Sequence, residues 1–212
     1  MRRRGGGGGE EVRMSVGRCE RLVVEAVEGS PLVHLLLGGL ARAGCPLALP
    51  RHVACEPLGP GLLGGFDRRS NQVVVCSEKC RTAEVVEQIL AHELVHLYDQ
   101  CVARVDWSDL RHLACSEVRA ANLAHCRGAL SGALGDGAAL WGGHRACVRG
   151  RAARSVAAVG GVGREVAGEA VAAVFEQCYA DLEPVGRRCW GRAEQGRAER
   201  EEQWRRGRGE GG

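Results

Sequence analysis

The strongest amphipathic pattern of the chain lies near its middle and predicts a helix from Thr82 to Asp99. The stretch contains no glycine or proline. Thr82 is suited to cap the start of the helix, and the negative charge of Glu84 in the first turn interacts favourably with the positive end of the helix dipole. The apolar residues that recur at helical spacing are Val85, Val86, Ile89, Leu90, Leu94, Val95 and Leu97. One face of this helix therefore belongs to a buried core.

A pattern typical of strands directly precedes this helix. Gln72–Cys76 is rich in β-branched residues, and the polar run Asp67–Asn71 before it is typical of a turn. Gly64–Phe66 is the expected partner strand. The pattern predicts a hairpin that leads into the helix.

The remaining apolar periodicity predicts further helices and shows no internal repeat. The predicted helical segments are 19–43 in two pieces, 111–123, 144–159 and 164–182. Ser30 and Pro31 suit the cap and the first position of the second piece, and the proline-containing stretch 44–60 is expected to be a loop. The fold class is therefore α+β, mostly helical, with a small antiparallel sheet.

The two ends of the chain differ in composition from its middle. Met1 is followed by three arginines and five glycines, and residues 187–212 are rich in Arg, Glu and Gly. Residues 1–15 are expected to form a disordered arm, and residues 187–212 are expected to be disordered or a solvated helix, which leaves one domain over residues 16–186. No apolar run approaches the ~18 residues of a membrane-spanning helix, and the first residues lack the apolar centre of a signal peptide.

Charge and cysteine content narrow the function classes. A net charge of +3 is too small to favour nucleic acid as a partner. The 11 cysteines are dispersed without a CxxC pair, which favours disulfides in an oxidising compartment over a structural zinc site. Buried free thiols are the alternative. The odd number leaves at least one cysteine unpaired if the others are bridged, and we expect this to be Cys189.

The predicted central helix carries the motif HExxH, formed by His92, Glu93 and His96. Residues four apart share one helix face, so both imidazoles can point at one metal ion. Glu93 lies between them and can act as a general base on a water molecule. The pattern predicts a catalytic zinc site with His92 and His96 as ligands, although two buried histidines in an ordinary core helix are the alternative.

A catalytic zinc ion usually takes a third protein ligand. The extended form of the motif with a third histidine is absent after His96, so a ligand from another helix is expected. Glu117 on the next predicted helix is the first choice, against a surface salt bridge with Arg119 or Arg111. His112 and Asp99 are alternatives, and Asp99 is better suited to accept a hydrogen bond from a ligating imidazole. Asp106 is a second candidate for that role.

The central block of the chain resembles a known family. The segments that carry the resemblance are Gly64–Asp67, His92–Cys101, Val105–Trp107, Arg111–Leu123, Cys147–Arg149 and Val174–Cys178. They are similar to the mitochondrial inner membrane metalloproteases that process ATP synthase subunit 6, whose animal members are also described as Ku-binding proteins. The resemblance covers roughly residues 19–186.

This resemblance implies a zincin-like metalloprotease domain with one catalytic Zn²⁺ ion. It implies an endopeptidase attached peripherally to the inner membrane on the intermembrane-space side, where a disulfide relay oxidises it. The expected partners are the subunit 6 precursor, whose N-terminal prepeptide is removed, and assembly intermediates of the ATP synthase membrane sector. By position, His92 and His96 become zinc ligands and Glu93 the catalytic residue. Glu117 remains an inference from spacing.

Mechanistic details and alternatives follow from these assignments. Tyr98 and His112 are candidates for an additional hydrogen-bond donor to the reacting carbonyl, and strand 72–76 is expected to bind substrate as an added strand.

One alternative function is that of an assembly chaperone that does not need proteolysis. The others are a nuclear Ku-associated DNA-repair factor and a DNA-associated HExxH protease, both disfavoured by the modest charge and the lack of a nucleic-acid module.

Overall fold

The computed structural model describes residues 7–59, 61–126 and 139–186, with side chains from residue 12 onward and from residue 143 in the last segment. The helices are α1 Gly7–Gly29, α2 Pro31–Arg42, α3 Leu49–His52, α4 Ala83–Val102, α5 Leu110–Ala120, α6 Ala139–Gly160 and α7 Arg164–Ala180. The strands are β1 Val53–Glu56, β2 Gly64–Asp67 and β3 Gln72–Cys76. The predicted fold class, mostly helical α+β with a small sheet, is confirmed.

The helix starts follow the capping chemistry of the sequence. The Ser30 side chain accepts from the Val33 N–H at the start of α2, and Thr82 accepts from the Val85 N–H at the start of α4. Side-chain oxygens at these positions satisfy amide groups that have no partner within the helix. The start of α4 fixes the register in which the HExxH residues face the rest of the molecule.

The sheet corrects two predictions. β2 and β3 form the predicted antiparallel hairpin, but β1 lies in the predicted loop 44–60 and pairs with β3 in parallel. The strand order is β1-β3-β2, so β3 is the central strand and both of its edges are occupied. A four-residue strand between prolines has little local signal, and parallel pairing depends on contacts distant in sequence. Strand 72–76 therefore cannot accept a substrate as an added strand.

The chain ends differ from the prediction where the structure describes them. α1 begins at Gly7, so residues 7–15 are helical where an arm is predicted. Ser15 Oγ lies 3.3 Å from Ser77 Oγ, next to the end of β3. Residues 1–6, the tail 187–212 and most of the glycine-rich stretch 128–143 lie outside the described residues.

Two apolar clusters form the core. The first contains α1, α2, the sheet and the inner face of α4, and the second contains α5, α6 and α7. α5 and the turn that follows it contribute to both, because Ala120 and Leu123 pack in the first cluster whereas Val118 and Ala121 pack in the second. The junction of α4 with α5 is therefore the place where side chains of the two clusters meet.

Four disulfides reinforce these clusters, as the dispersed cysteines predict. Two connect elements of the first cluster and two connect elements of the second; the pairs are Cys19–Cys55, Cys45–Cys101, Cys115–Cys178 and Cys126–Cys147. Cys76 and Cys80 are buried free thiols, so within the described residues bridged and free cysteines coexist. Cys189, the predicted unpaired cysteine, lies outside the described residues.

No single helix within the described parts of the chain is long and apolar enough to cross a membrane. The segments Val12–Gly29 and Pro31–Arg42 meet that length and composition only when taken together, across an 82° bend.

Candidate active site

α4 places the three motif residues at the junction of the two clusters. Its apolar face packs Leu90, Leu94 and Val95 into the first cluster, so the register that buries these side chains turns the motif towards α5. His92 and His96 lie one turn apart, with their Nε2 atoms 3.0 Å from each other. Glu93 and His96 are 7% and 6% exposed. The sequence prediction that both imidazoles share one helix face is confirmed.

α5 places Glu117 beside His92 and His96. One carboxylate oxygen lies 3.5 Å from His92 Nε2 and the other 3.6 Å from His96 Nε2. Glu117 is only 2% exposed, so the alternative of a surface salt bridge is wrong. Arg119 pairs with Asp99 instead.

These three residues fit a metal ion. One donor atom from each lies within 4.8 Å of the other two, a spacing at which one cation can contact all three. Two imidazoles and a carboxylate are the donor set of one common type of catalytic zinc site. Glu117 Oε2 is buried, and no hydrogen bond to it is found among the described residues. A buried acceptor without a donor is costly unless a cation satisfies it.

Burial dominates the electrostatics of the cluster. It lowers the pKa of His92 to about 4, assisted by the nearby charge of Arg151, and lowers the pKa of His96 well below its usual value. Both imidazoles are therefore neutral at physiological pH, which is the form that binds metal. Burial also raises the pKa of Glu117 to about 7, against a hydrogen bond from Ser155 that favours the carboxylate.

Glu93 is the carboxylate beside this cluster. Burial raises its pKa well above the usual value, and the neighbouring Glu117 raises it further. A carboxylate with a raised pKa is a better proton acceptor at neutral pH than an ordinary surface glutamate. The side chain lies next to β2, because a Cβ atom added to Gly64 would be 3.3 Å from Glu93 Oε1.

The side chain that contacts His96 Nδ1 belongs to Ser116, a residue that sequence reasoning missed. His96 Nδ1 lies 2.7 Å from Ser116 Oγ, and that hydroxyl donates to Asp99 Oδ2 at 2.7 Å. Asp99 is in turn paired with Arg119 at 2.9 Å. Asp99 therefore supports a candidate ligand, as expected, but acts through Ser116 rather than by direct contact. Its spacing of three residues on the same helix could not show that a serine from α5 lies between the two side chains.

The contact behind His92 also comes from a residue that the sequence did not indicate. His125 Nε2 lies 3.1 Å from His92 Nδ1, and His125 is only 8% exposed. Burial and the neighbouring His92 lower the pKa of His125 well below its usual value. No local motif surrounds His125, so only the return of the chain after α5 reveals its neighbour.

The other predicted site residues lie elsewhere. His112 is exposed, and its Nδ1 accepts from the Asp106 N–H at 3.1 Å. Asp106 is exposed and accepts from Ser108. Tyr98 packs against the first cluster near Gly39, with the Arg119 guanidinium 5.9 Å from its ring centre. None of these three belongs to the residues that line the cleft.

The cluster opens into a cleft of about 720 Å³. The cleft is lined by Gly61–Phe66, which includes most of β2, and by Arg151, Arg154 and Val159 of α6. Trp107 forms part of the wall, with its ring centre 5.8 Å from that of His96. β2 pairs with β3 on one side only, so its other edge is unpaired among the described residues, and β2 lines the cleft. Glu93 and the three donor residues His92, His96 and Glu117 line the same cleft.

The HExxH motif on helix α4, with Glu117 as a third donor beside it, is typical of the peptidase class of proteins. The chain belongs to the peptidase M76 family, whose model matches residues 17–186.

Curated relatives extend this assignment. The chain is 39% identical over 171 residues to the mitochondrial inner membrane protease ATP23 homolog of Homo sapiens, covering 80% of this chain and 70% of the relative. It is 40% identical over 171 residues to the homolog of Danio rerio, covering 80% and 67%. It is 31% identical over 168 residues to the mitochondrial inner membrane protease atp23 of Schizosaccharomyces pombe, covering 78% and 90%. No solved structure matches the chain.

Proposed function

We propose that this peptidase is a zinc-dependent endopeptidase that removes the N-terminal prepeptide of ATP synthase subunit 6. One observation carries the proposal of zinc-dependent chemistry. Glu93 lines the cleft together with His92, His96 and Glu117, whose donor atoms lie within 4.8 Å of one another.

His92, His96 and Glu117 would hold the ion, which when bound supplies Lewis-acid polarisation of the scissile carbonyl and makes a water molecule more acidic. Glu93 accepts the proton from the attacking water at its carboxylate and delivers it to the leaving amine. The buried surroundings of Glu93, which raise its pKa, favour both steps because a weaker acid binds the proton more readily and still releases it to an amine. Ser116 and Asp99 hold the His96 ring in the orientation required of a ligand.

The free edge of β2 is the proposed binding site for an extended substrate. A peptide laid along Gly64–Asp67 would form backbone hydrogen bonds in the manner of an added strand. This position would bring a scissile bond past Glu93, since Gly64 is adjacent to that carboxylate. β2 thus replaces β3 as the strand to which the substrate binds.

The proposed location is the intermembrane-space face of the mitochondrial inner membrane, with peripheral attachment. The relatives are mitochondrial inner membrane proteases, which supports the inner membrane, and the four disulfides among the described residues suit an oxidising compartment. The proposed partners are the subunit 6 precursor and assembly intermediates of the ATP synthase membrane sector. The small net charge of +3 favours these protein partners over nucleic acid.

The test uses the Glu93→Gln variant. Gln keeps the size and leaves the three donor residues intact, so zinc content is expected to stay near one ion per chain. Cleavage is expected to fall by at least about a thousandfold, because the general base is lost. Mitochondria lacking their own enzyme, supplied with either chain, are examined for the length of subunit 6 and for assembled ATP synthase.

The outcomes separate the proposals. Processing by the wild-type chain alone supports the endopeptidase and the role of Glu93. Cleavage by a zinc-loaded Glu93→Gln variant would overturn that role. If both chains restore assembly and neither shortens subunit 6, the chain acts there as an assembly chaperone.

A further inference from the structure

The position of His125 depends on an unusual turn. Ala121–His125 forms a single π-helical turn directly after α5, and the Cys126 N–H donates to the Ala121 carbonyl at 3.0 Å. This wider turn contains an extra residue, which changes the face on which the following side chains lie. It places His125 beside His92, with ring centres 4.9 Å apart and ring planes inclined by 47°. π-helical turns of this kind are frequently found at functional sites.

The next residue holds this turn in place. Cys126 is bridged to Cys147 of α6, and His125 itself is 8% exposed. The imidazole is therefore confined between α4 and the second cluster rather than free to rotate into solvent. Confinement of this kind is what a side chain needs in order to orient another.

The geometry decides which ring donates the hydrogen bond between His92 and His125. The Nε2 atoms of His92 and His96 face each other and Glu117, so these are the nitrogens that would meet a metal ion. A neutral imidazole that binds through Nε2 carries its proton on Nδ1. His92 Nδ1 is 3.1 Å from His125 Nε2, which is a normal hydrogen-bond distance. His92 must then donate, and His125 must accept at Nε2 and carry its own proton at Nδ1.

We propose that His125 is a positioning residue, which fixes the ring orientation and the tautomer of His92 by accepting its Nδ1–H. The inference rests on the proposed zinc site. The two ligand histidines then have different supports: His96 has the Ser116–Asp99 pair, and His92 has a neutral imidazole.

The test compares two substitutions of similar size. Gln at position 125 retains a hydrogen-bond acceptor, whereas Met fills comparable space without a good one. His125→Met is expected to weaken zinc binding roughly tenfold to a hundredfold, the usual effect of losing such a support. His125→Gln is expected to retain most of the affinity. Zinc affinity is measured by competition with a chelator, and the melting temperature of each metal-free protein is measured in parallel.

Equal zinc affinity in the Met variant, the Gln variant and the wild type would overturn the proposal. Equal losses in both variants would overturn it as well, because the effect would then follow packing rather than hydrogen bonding. A wild-type chain that binds no zinc would instead remove the proposed function itself.

A measurement on the wild-type protein does not depend on the folding of any variant. Nitrogen-15 NMR of the zinc-loaded chain distinguishes the two histidine tautomers through their ring nitrogen shifts. The expected spectrum shows His125 with Nδ1 protonated and Nε2 unprotonated. A His125 ring protonated at Nε2 would overturn the proposal, because that nitrogen could not accept from His92.

Discussion

At the scale of single residues, the site contains two glutamates at buried positions, where burial disfavours their ionised form. Glu93 and Glu117 are both buried, and the pKa of each is raised by burial. The two carboxylates also raise each other's cost of ionisation, since like charges close together repel. Such an arrangement destabilises the metal-free fold and favours a bound cation. The same residues that would do the chemistry are therefore expected to reduce stability.

The contribution of Glu117 to the stability of the metal-free protein depends on pH. The pKa of Glu117 is about 7 in the fold against an ordinary 4.5, so between these values the folded state binds a proton at this residue more readily than the unfolded state. This contribution therefore falls as pH rises through the window, by up to about 3 kcal/mol above pH 7. The buried His92, His96 and His125, whose pKa values are lowered, act in the opposite direction below pH 6.5. The measurement is therefore the difference in unfolding free energy between the chelated wild type and a Glu117→Gln variant at pH 5.5 and pH 8.

Glu117→Gln provides the matched variant for this prediction. The amide cannot ionise, so the metal-free variant is expected to be more stable than the wild type at pH 8 and less sensitive to pH. It is also expected to bind zinc more weakly, since one anionic donor is lost. A variant that is less stable than the wild type at pH 8 would contradict the prediction.

At the scale of elements, the site depends on the close approach of β2 to α4. A Cβ atom at Gly64 would lie 2.6 Å from Ile89 Cγ2 and 2.9 Å from the Val74 carbonyl oxygen. These distances are shorter than van der Waals contact, so only glycine fits without movement of the helix or the strand. The approach places Gly64 of β2 beside Glu93, which a wider spacing would not allow.

Gly64→Ala tests this approach, and Gly65→Ala is its control for stability. A Cβ atom at Gly65 would meet nothing within 4 Å among the described residues. Gly64→Ala is expected to destabilise the fold by about 1–3 kcal/mol and to lower peptidase activity by roughly tenfold to a hundredfold, because Glu93 is displaced from its working position. Thermal unfolding is measured on both variants, and peptide cleavage is measured on Gly64→Ala. Equal stability of the two variants would show that the close approach does not matter.

At the scale of the whole molecule, the site lies where the two apolar clusters meet, and each cluster is stabilised by two disulfides of its own. His92, Glu93 and His96 come from the cluster of α1, α2, the sheet and α4, whereas Glu117 and His125 lie on the segment that connects it to α6 and α7. Arg119 ties this junction to the chain after α7 through Asp181 at 2.9 Å. Loosening either cluster is expected to separate the donors of the site.

Reduction of the disulfides tests this dependence. The bridges span separations of 21 to 63 residues, for which loop closure predicts about 3–4 kcal/mol each. Their sum of roughly 10 kcal/mol or more is comparable to the whole stability of a typical domain. The reduced, metal-free chain is therefore expected to lose cooperative thermal unfolding by circular dichroism. An alkylated but unreduced sample is the control, and an unchanged melting temperature after full reduction would contradict the prediction.

Local patterns in the sequence determined most of the helices and the two histidine donors of the site. The caps at Ser30 and Thr82 and the apolar stripe of α4 are properties of neighbouring residues, which is why they could be predicted. The pairing of His92 with His96 follows from helix geometry alone. The convergence of Glu117 with them was also predictable, since a short connection returns the next helix against α4.

Only the tertiary structure decided which residues support the donors and where a substrate can bind. Ser116 lies between His96 and Asp99 because α5 packs against α4, and His125 lies behind His92 because a π-helical turn follows α5. β1 occupies the outer edge of β3 through parallel pairing, which leaves β2 as the free edge beside the cleft. Contacts of this kind depend on long-range packing, and no periodicity within a single segment contains them.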